Sequence, residues 1–243
     1  MLRTNKLLSL SSSGLLLAGL AMTASAQTIT LGPQTITQAT DFTGSFFFTK
    51  FNPSLGTLNS VFLTLGTNFT TQLTVTNNSA TASSGNATTT VDSALYDPTT
   101  TFTTPGNILT PSGGLFNLTD FVNSNPVGYS LAPSASTTLT PPAKTTSLSS
   151  APSFTDPTVL AYFTGGSGTS QIDYRTFTST NLNNTGGNTS ATQTTTNTLS
   201  ATVVYNYTPA STTTPEPGTW AMMIAGTSTG LVALRRRRNK NKK

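Results

Sequence analysis

The chain has 243 residues, 12 Lys+Arg against 7 Asp+Glu, and neither cysteine nor histidine. That composition excludes a disulfide scaffold, thiolate or imidazole metal sites, and the Ser-His-Asp and Cys-His catalytic arrangements. The net charge of +5 is an end effect. Residues 27–214 keep only Lys50, Lys144 and Arg175 against Asp41, Asp92, Asp97, Asp120, Asp156 and Asp173. The body of the protein is therefore acidic, and its basic pI does not point to a nucleic-acid partner.

Met1 to Ala26 reads as a secretory signal peptide. Arg3 and Lys6 charge its start, Leu7 to Ala21 is mostly apolar, and Ala24-Ser25-Ala26 is a small-residue cleavage site. Cleavage is expected before Gln27. Asp41 to Phe51 then carries Phe42, Phe46, Phe47, Phe48 and Phe51, enough ring area to anchor a core. Leu58 to Leu65 and Phe69 to Thr76 alternate with period two. Gly66-Thr67-Asn68 lies between them, so the pair is predicted to form a hairpin. Asn77 to Thr90 has almost no apolar content and reads as loose. The proline-rich Leu131 to Pro157 reads as a long excursion.

Thr158 to Phe163 and Gln171 to Thr178 are predicted strands. The clearest is Leu199 to Tyr207, with Leu199, Ala201, Val203, Tyr205 and Tyr207 on one side. Residues 27–209 show no sustained helical apolar pattern. The expected fold class is all-β, an antiparallel β-sandwich of jelly-roll-like or Ig-like kind.

After a linker at 210–218, which contains Pro215-Glu216-Pro217, residues 219–234 form an apolar run with Trp220 at its outer edge. The run is shorter than the roughly 20 residues of a stable span, which suits a transient transmembrane helix. Arg235, Arg236, Arg237 and Arg238 follow, then Lys240, Lys242 and Lys243, as a basic cytoplasmic tail over 235–243.

Catalytic candidates are few. Lys50 or Lys144 would have to serve any Ser-Lys dyad, and Asp92 with Asp97 or Asp156 with Asp173 are the near carboxylate pairs in sequence. Asp97-Pro98 and Asp156-Pro157 also read as turn initiators, and Gly165-Gly166-Ser167-Gly168 and Gly186-Gly187 read as turns. No calcium-loop motif is present. The expectation is a protein without enzymatic activity, metal or cofactor. The alternative is a carbohydrate-binding module using Tyr129, Tyr162, Tyr174, Tyr205 and Tyr207 as a stacking face.

Pro215-Glu216-Pro217, Trp220-Ala221-Met222-Met223-Ile224 and Arg235 to Arg238 resemble, in order and spacing, the PEP-CTERM sorting signal of Gram-negative bacteria. The resemblance implies recognition by a membrane-embedded exosortase, removal of the tail, a transient stay in the inner membrane, and association with exopolysaccharide and biofilm at the cell surface or in the extracellular matrix. Phe51-Asn-Pro-Ser-Leu-Gly-Thr-Leu, the strand after it and Leu73-Thr-Val-Thr-Asn77 are similar to the choice-of-anchor E domain. Tyr162-Phe-Thr-Gly-Gly-Ser-Gly168 and Thr202 to Pro209 resemble its later segments. That likeness implies a surface domain and no chemistry.

Overall fold

The computed structural model describes residues 25–102, 111–150 and 153–210. In chain order the elements are β1 (Gln27–Ala39), β2 (Thr43–Thr49), β3 (Gly56–Asn77), β4 (Ser83–Tyr96), β5 (Thr101–Phe102), β6 (Pro111–Ser112), β7 (Asn117–Asn123), β8 (Val127–Leu131), β9 (Ser136–Leu139), β10 (Lys144–Ser149), α1 (Pro157–Phe163), β11 (Thr169–Thr185) and β12 (Thr189–Pro209). The fold is an all-β antiparallel sandwich. The first sheet has the order β1-β12-β3-β10, with β9 also on β3. The second has the order β2-β11-β4-β7, with β8 also on β4. β1, β2, β3 and β4 alternate between the sheets, as do β11 and β12. Gly186 and Gly187, at φ of 71° and 64°, make the crossing from β11 to β12.

β3 and β12 form the spine. They pair from Gly56↔Pro209 to Asn77↔Thr189. The predicted hairpin within β3 does not occur: Gly66-Thr67-Asn68 lies inside a continuous 22-residue strand. The inward phase runs through Val61, Leu63, Leu65, Thr67, Phe69, Thr71, Leu73 and Val75 without a slip. Gly66 is a strand residue rather than a turn residue, and the Ser200 hydroxyl on β12 leans into the space that a Cβ there would take. The loose reading of Asn77 to Thr90 holds only for residues 78–82, because β4 begins at Ser83. Leu131 to Pro157 contains β9 and β10, which pair end to end along one edge of β3.

Thr158 to Phe163 is a helix and not a strand. Asp156 caps it, its carboxylate accepting from Thr158 N at 2.8 Å, and Pro157 occupies the first turn. The cap and the Pro outweigh the strand preference of Thr, Val, Tyr and Phe. Val159 and Phe163, four residues apart, put one face of the helix into the core. Gln171 to Thr178 and Leu199 to Tyr207 lie within β11 and β12, and the five inward residues predicted for the latter are all buried.

The larger core cluster gathers Phe42, Phe46, Phe48 and Phe51 with Leu63, Leu65, Ile172, Val203 and Tyr205. Phe47 alternates outward and is exposed. A second cluster around Leu73, Val75 and Leu131 fills the other end. Between them lies a buried hydroxyl layer. Thr71 Oγ1 bonds Thr195 Oγ1 at 2.8 Å and Thr89 Oγ1 at 3.2 Å, and Asn197 Nδ2 donates to Ser93 Oγ at 3.3 Å. In this layer Thr71, Thr89 and Thr195 occupy interior positions with their hydroxyls satisfied by one another.

Candidate functional site

The outward side of the second sheet collects the chain's unusual chemistry. Residues directly opposite one another on antiparallel strands share a face. On β4 the odd residues Val91, Ser93 and Leu95 point into the sandwich, so Asp92, Ala94 and Tyr96 point out. The register sets three adjacent rows across the sheet. Phe177, Asp92 and Phe121 form one. Arg175 with Thr43, Ala94 and Thr119 forms the next. Ser45, Asp173, Tyr96 and Asn117 form the third.

Asp92 is the anomaly. It is 5% exposed although it faces outward, and its Oδ1 has no hydrogen-bond partner. It sits in register between two phenylalanines, of which Phe121 is 51% exposed and Phe177 half-buried. Burial, and then the negative charge of Asp41, push its pKa from 3.8 up to about 6. A group whose pKa is raised on folding favours the folded state below its unfolded pKa, and that advantage disappears as pH rises through the folded value. Asp92 therefore costs the protein stability above about pH 6. Asp92→Asn is expected to raise unfolding stability by ~2 kcal/mol at pH 8 and by almost nothing at pH 4. Urea titrations at the two pH values check this; equal effects at both would contradict the assignment.

The neighbouring rows are better satisfied. Asp173 Oδ1 accepts from Ser45 Oγ at 2.6 Å and from Gln171 Nε2 at 2.7 Å. The Arg175 guanidinium lies 5.2 Å from the centre of the Phe102 ring, which stands edge-on to Tyr96 at 5.0 Å. Burial, then the charge of Asp173, raise the Tyr96 pKa, with Arg175 opposing. Asp41 also lines a small notch of about 180 Å³ with Ala39, Thr40, Thr178, Gln193, Thr194 and Thr195. That is below the roughly 300–1,000 Å³ of small-molecule pockets.

The other sequence candidates have structural work. Asp97 is enclosed by the Thr99–Thr100 turn and the Leu115–Phe116 backbone, Asp156 is the helix cap, and Asp120 accepts from Thr146 across the sandwich. Asp41, not Asp97, is the carboxylate acting on Asp92. Lys50 lies 5.7 Å from the centre of the Tyr162 ring, and Lys144 Nζ donates to Asn125 Oδ1 at 3.3 Å.

Four of the five tyrosines proposed as a stacking face, Tyr129, Tyr174, Tyr205 and Tyr207, are buried. Tyr205 and Tyr207 donate inward, to Thr49 O at 2.9 Å and Gln27 Oε1 at 2.8 Å. Tyr162 is half-buried and donates to Gln171 O at 2.6 Å. The outward rings of the rows around Asp92 belong to Tyr96, Phe121 and Phe177, which the sequence pattern did not single out. Asp92's phase opposite Val91, Ser93 and Leu95 was the available signal.

Among the described residues no three acidic side chains cluster as a metal site, and no helix is long and apolar enough to cross a membrane. Ala26 and Gln27 are described, and Gln27 opens β1. Ala24, Pro215, Glu216, Pro217, Trp220 to Ile224 and Arg235 to Arg238 lie outside the described residues.

No family model and no curated protein matches the chain. Among solved structures, it is similar to a chain in the structure of the infectious bursal disease virus Gx strain, with 10% identity, 78% of this chain and 39% of that chain covered, and a TM-score of 0.18. The chain in the T13 particle of the same virus gives 10% identity, 78% and 37% coverage, and a TM-score of 0.18. The chain thus spans about two fifths of the solved chains it matches.

Proposed function

We propose that this is an exported, non-catalytic surface or extracellular-matrix protein of a Gram-negative-type bacterium, carrying a choice-of-anchor E type domain. In this reading signal peptidase frees Gln27. The PEP-CTERM tail holds the chain briefly in the inner membrane, an exosortase removes the tail, and the β domain joins the surface or the exopolysaccharide matrix.

The observation that carries the reading is the three-part order of the tail: Pro215-Glu216-Pro217, the apolar run from Trp220, and Arg235 to Arg238. The fold is compatible with both cuts. β1 starts at Gln27 and pairs with the end of β12 through Gln27↔Tyr207, and β12 stops at Pro209. The described sheets thus begin at the residue that the first cut would free, and β12 ends before the position of the second. The sheet orders, with successive long strands crossing between sheets, favour a jelly roll over the Ig-like alternative.

Replacing Pro215, Glu216 and Pro217 together by alanine tests the reading in the native cell. The expected outcome is retention of the variant in the membrane fraction with its basic tail attached, while the unaltered protein is released. Equal release and equal mass of the two proteins would overturn it.

A further inference from the structure

We infer that Gln27 is a site of covalent modification: once freed as the first residue it closes to a pyroglutamyl ring, and Tyr207 promotes the closure. The inference deepens the export reading and rests on the cut before Gln27.

The fold aims a donor at the reacting carbonyl. Gln27 opens β1, is exposed, and stands in register with Tyr207 near the end of β12. Directly opposed residues of antiparallel strands share a face, which sets the two side chains beside each other. The Tyr207 hydroxyl donates to Gln27 Oε1 at 2.8 Å. The Tyr207 ring is itself held, since it is 8% exposed and lies 5.2 Å from the ring of Phe51. The donor is thus fixed by the core, while the glutamine that it holds is exposed. Gln34 differs: it bonds both ways to the backbone of Phe47 and lies inside β1, where it has no amine of its own to react with.

Release from Ala26 turns the Gln27 nitrogen into a primary amine. An ordinary α-amino group has a pKa of about 7.7–8.0, so part of it is neutral near pH 7. Its lone pair adds to Cδ of the same side chain, and the N–Cδ bond closes a five-membered lactam. The negative charge of the adduct falls on Oε1. The Cδ–Nε2 bond then breaks, and Nε2 leaves as ammonia with the proton that the amine gives up. No oxidant or cofactor is consumed. Amine and amide belong to one residue, so their encounter needs no second molecule. A fixed donor at the oxygen where charge develops lowers the barrier further. The product is uncharged and keeps the carbonyl that Tyr207 holds. It leaves aminopeptidases no free amine at the residue where the first sheet begins.

The test follows the N-terminal peptide by mass spectrometry. For the kinetics, residues 1–26 of the full chain are replaced by a leader that a protease removes to leave Gln27 first. The folded protein is expected to lose one ammonia from that peptide faster than the same chain unfolded in urea. Tyr207→Phe keeps the ring and removes the donor. It should slow the folded reaction about tenfold and leave the reaction in urea within about twofold. Equal folded rates for the native protein and Tyr207→Phe, or a folded rate below that in urea, would overturn the inference. In protein recovered from the native cell the peptide should begin with the ring. A peptide that begins at Gln27 and keeps its ammonia would overturn the inference alone. A first residue other than Gln27 would overturn the export cut together with it.

Discussion

Phe163→Ala is expected to lower unfolding stability by ~3–5 kcal/mol, the usual cost of emptying a fully buried aromatic site. The side chain is completely enclosed. Its ring lies 5.4 Å from that of Phe116, 5.4 Å edge-on from that of Tyr162 and 6.2 Å from that of Tyr205. Its carbonyl also accepts from Phe51 N at 2.8 Å, so one residue joins α1, the Phe-rich segment and β12. A domain of this size is stable by only about 5–15 kcal/mol, so the variant should unfold at a much lower urea concentration. A loss below about 1 kcal/mol would mean that α1 does not pack as described.

Asp97→Ala is expected to cost ~3 kcal/mol, through hydrogen bonds rather than volume. The enclosed carboxylate accepts from Thr99 N at 3.0 Å, Thr100 Oγ1 at 2.7 Å, Leu115 N at 2.6 Å and Phe116 N at 3.3 Å, and from the Thr99 hydroxyl. It thus ties the end of β4 to the approach to β7. Removing it leaves backbone donors enclosed without acceptors, at about 1–3 kcal/mol for each one orphaned.

The pH dependence has the opposite sign to that of Asp92. Burial is the largest single influence and raises the Asp97 pKa, but the hydrogen bonds from Thr99, Thr100 and Leu115 together outweigh it and leave the pKa below 3.8. A lowered pKa stabilises the fold above the unfolded value, and that stability is lost as pH falls through the folded value. The gap between the native protein and Asp97→Ala, followed by urea titration, should be full at pH 6 and should narrow below about pH 4. A gap that widens on acidification would contradict this.

Local patterns were legible where they were strictly local. The alternation Leu199 to Tyr207 located both the last strand and its inward face. In β3 the same alternation was present, but Gly66 and Asn68 look like turn residues. Only the unbroken phase from Leu65 through Thr67 to Phe69 shows that they are strand residues with a partner leaning over them. In α1 the cap Asp156 and Pro157 were visible, yet their weight against four strand-favouring side chains is settled by the i, i+4 burial of Val159 and Phe163. The Asp92 face was not legible. Its rings sit at positions 121 and 177, and only the non-local register of β7 and β11 on β4 brings them beside the carboxylate. The tyrosines failed as a stacking face for a local reason instead. A Tyr in alternating phase with Leu and Val faces the core, and Tyr205 and Tyr207 share the phase of Leu199 and Val203.

Export with removal of both ends is tested most directly by the intact mass of the protein recovered from the native cell surface and medium. The account predicts a species that begins at Gln27 and ends near Pro215 to Pro217. A species that still carries Arg235 to Lys243 would contradict it and leave a plain C-terminal membrane anchor in its place.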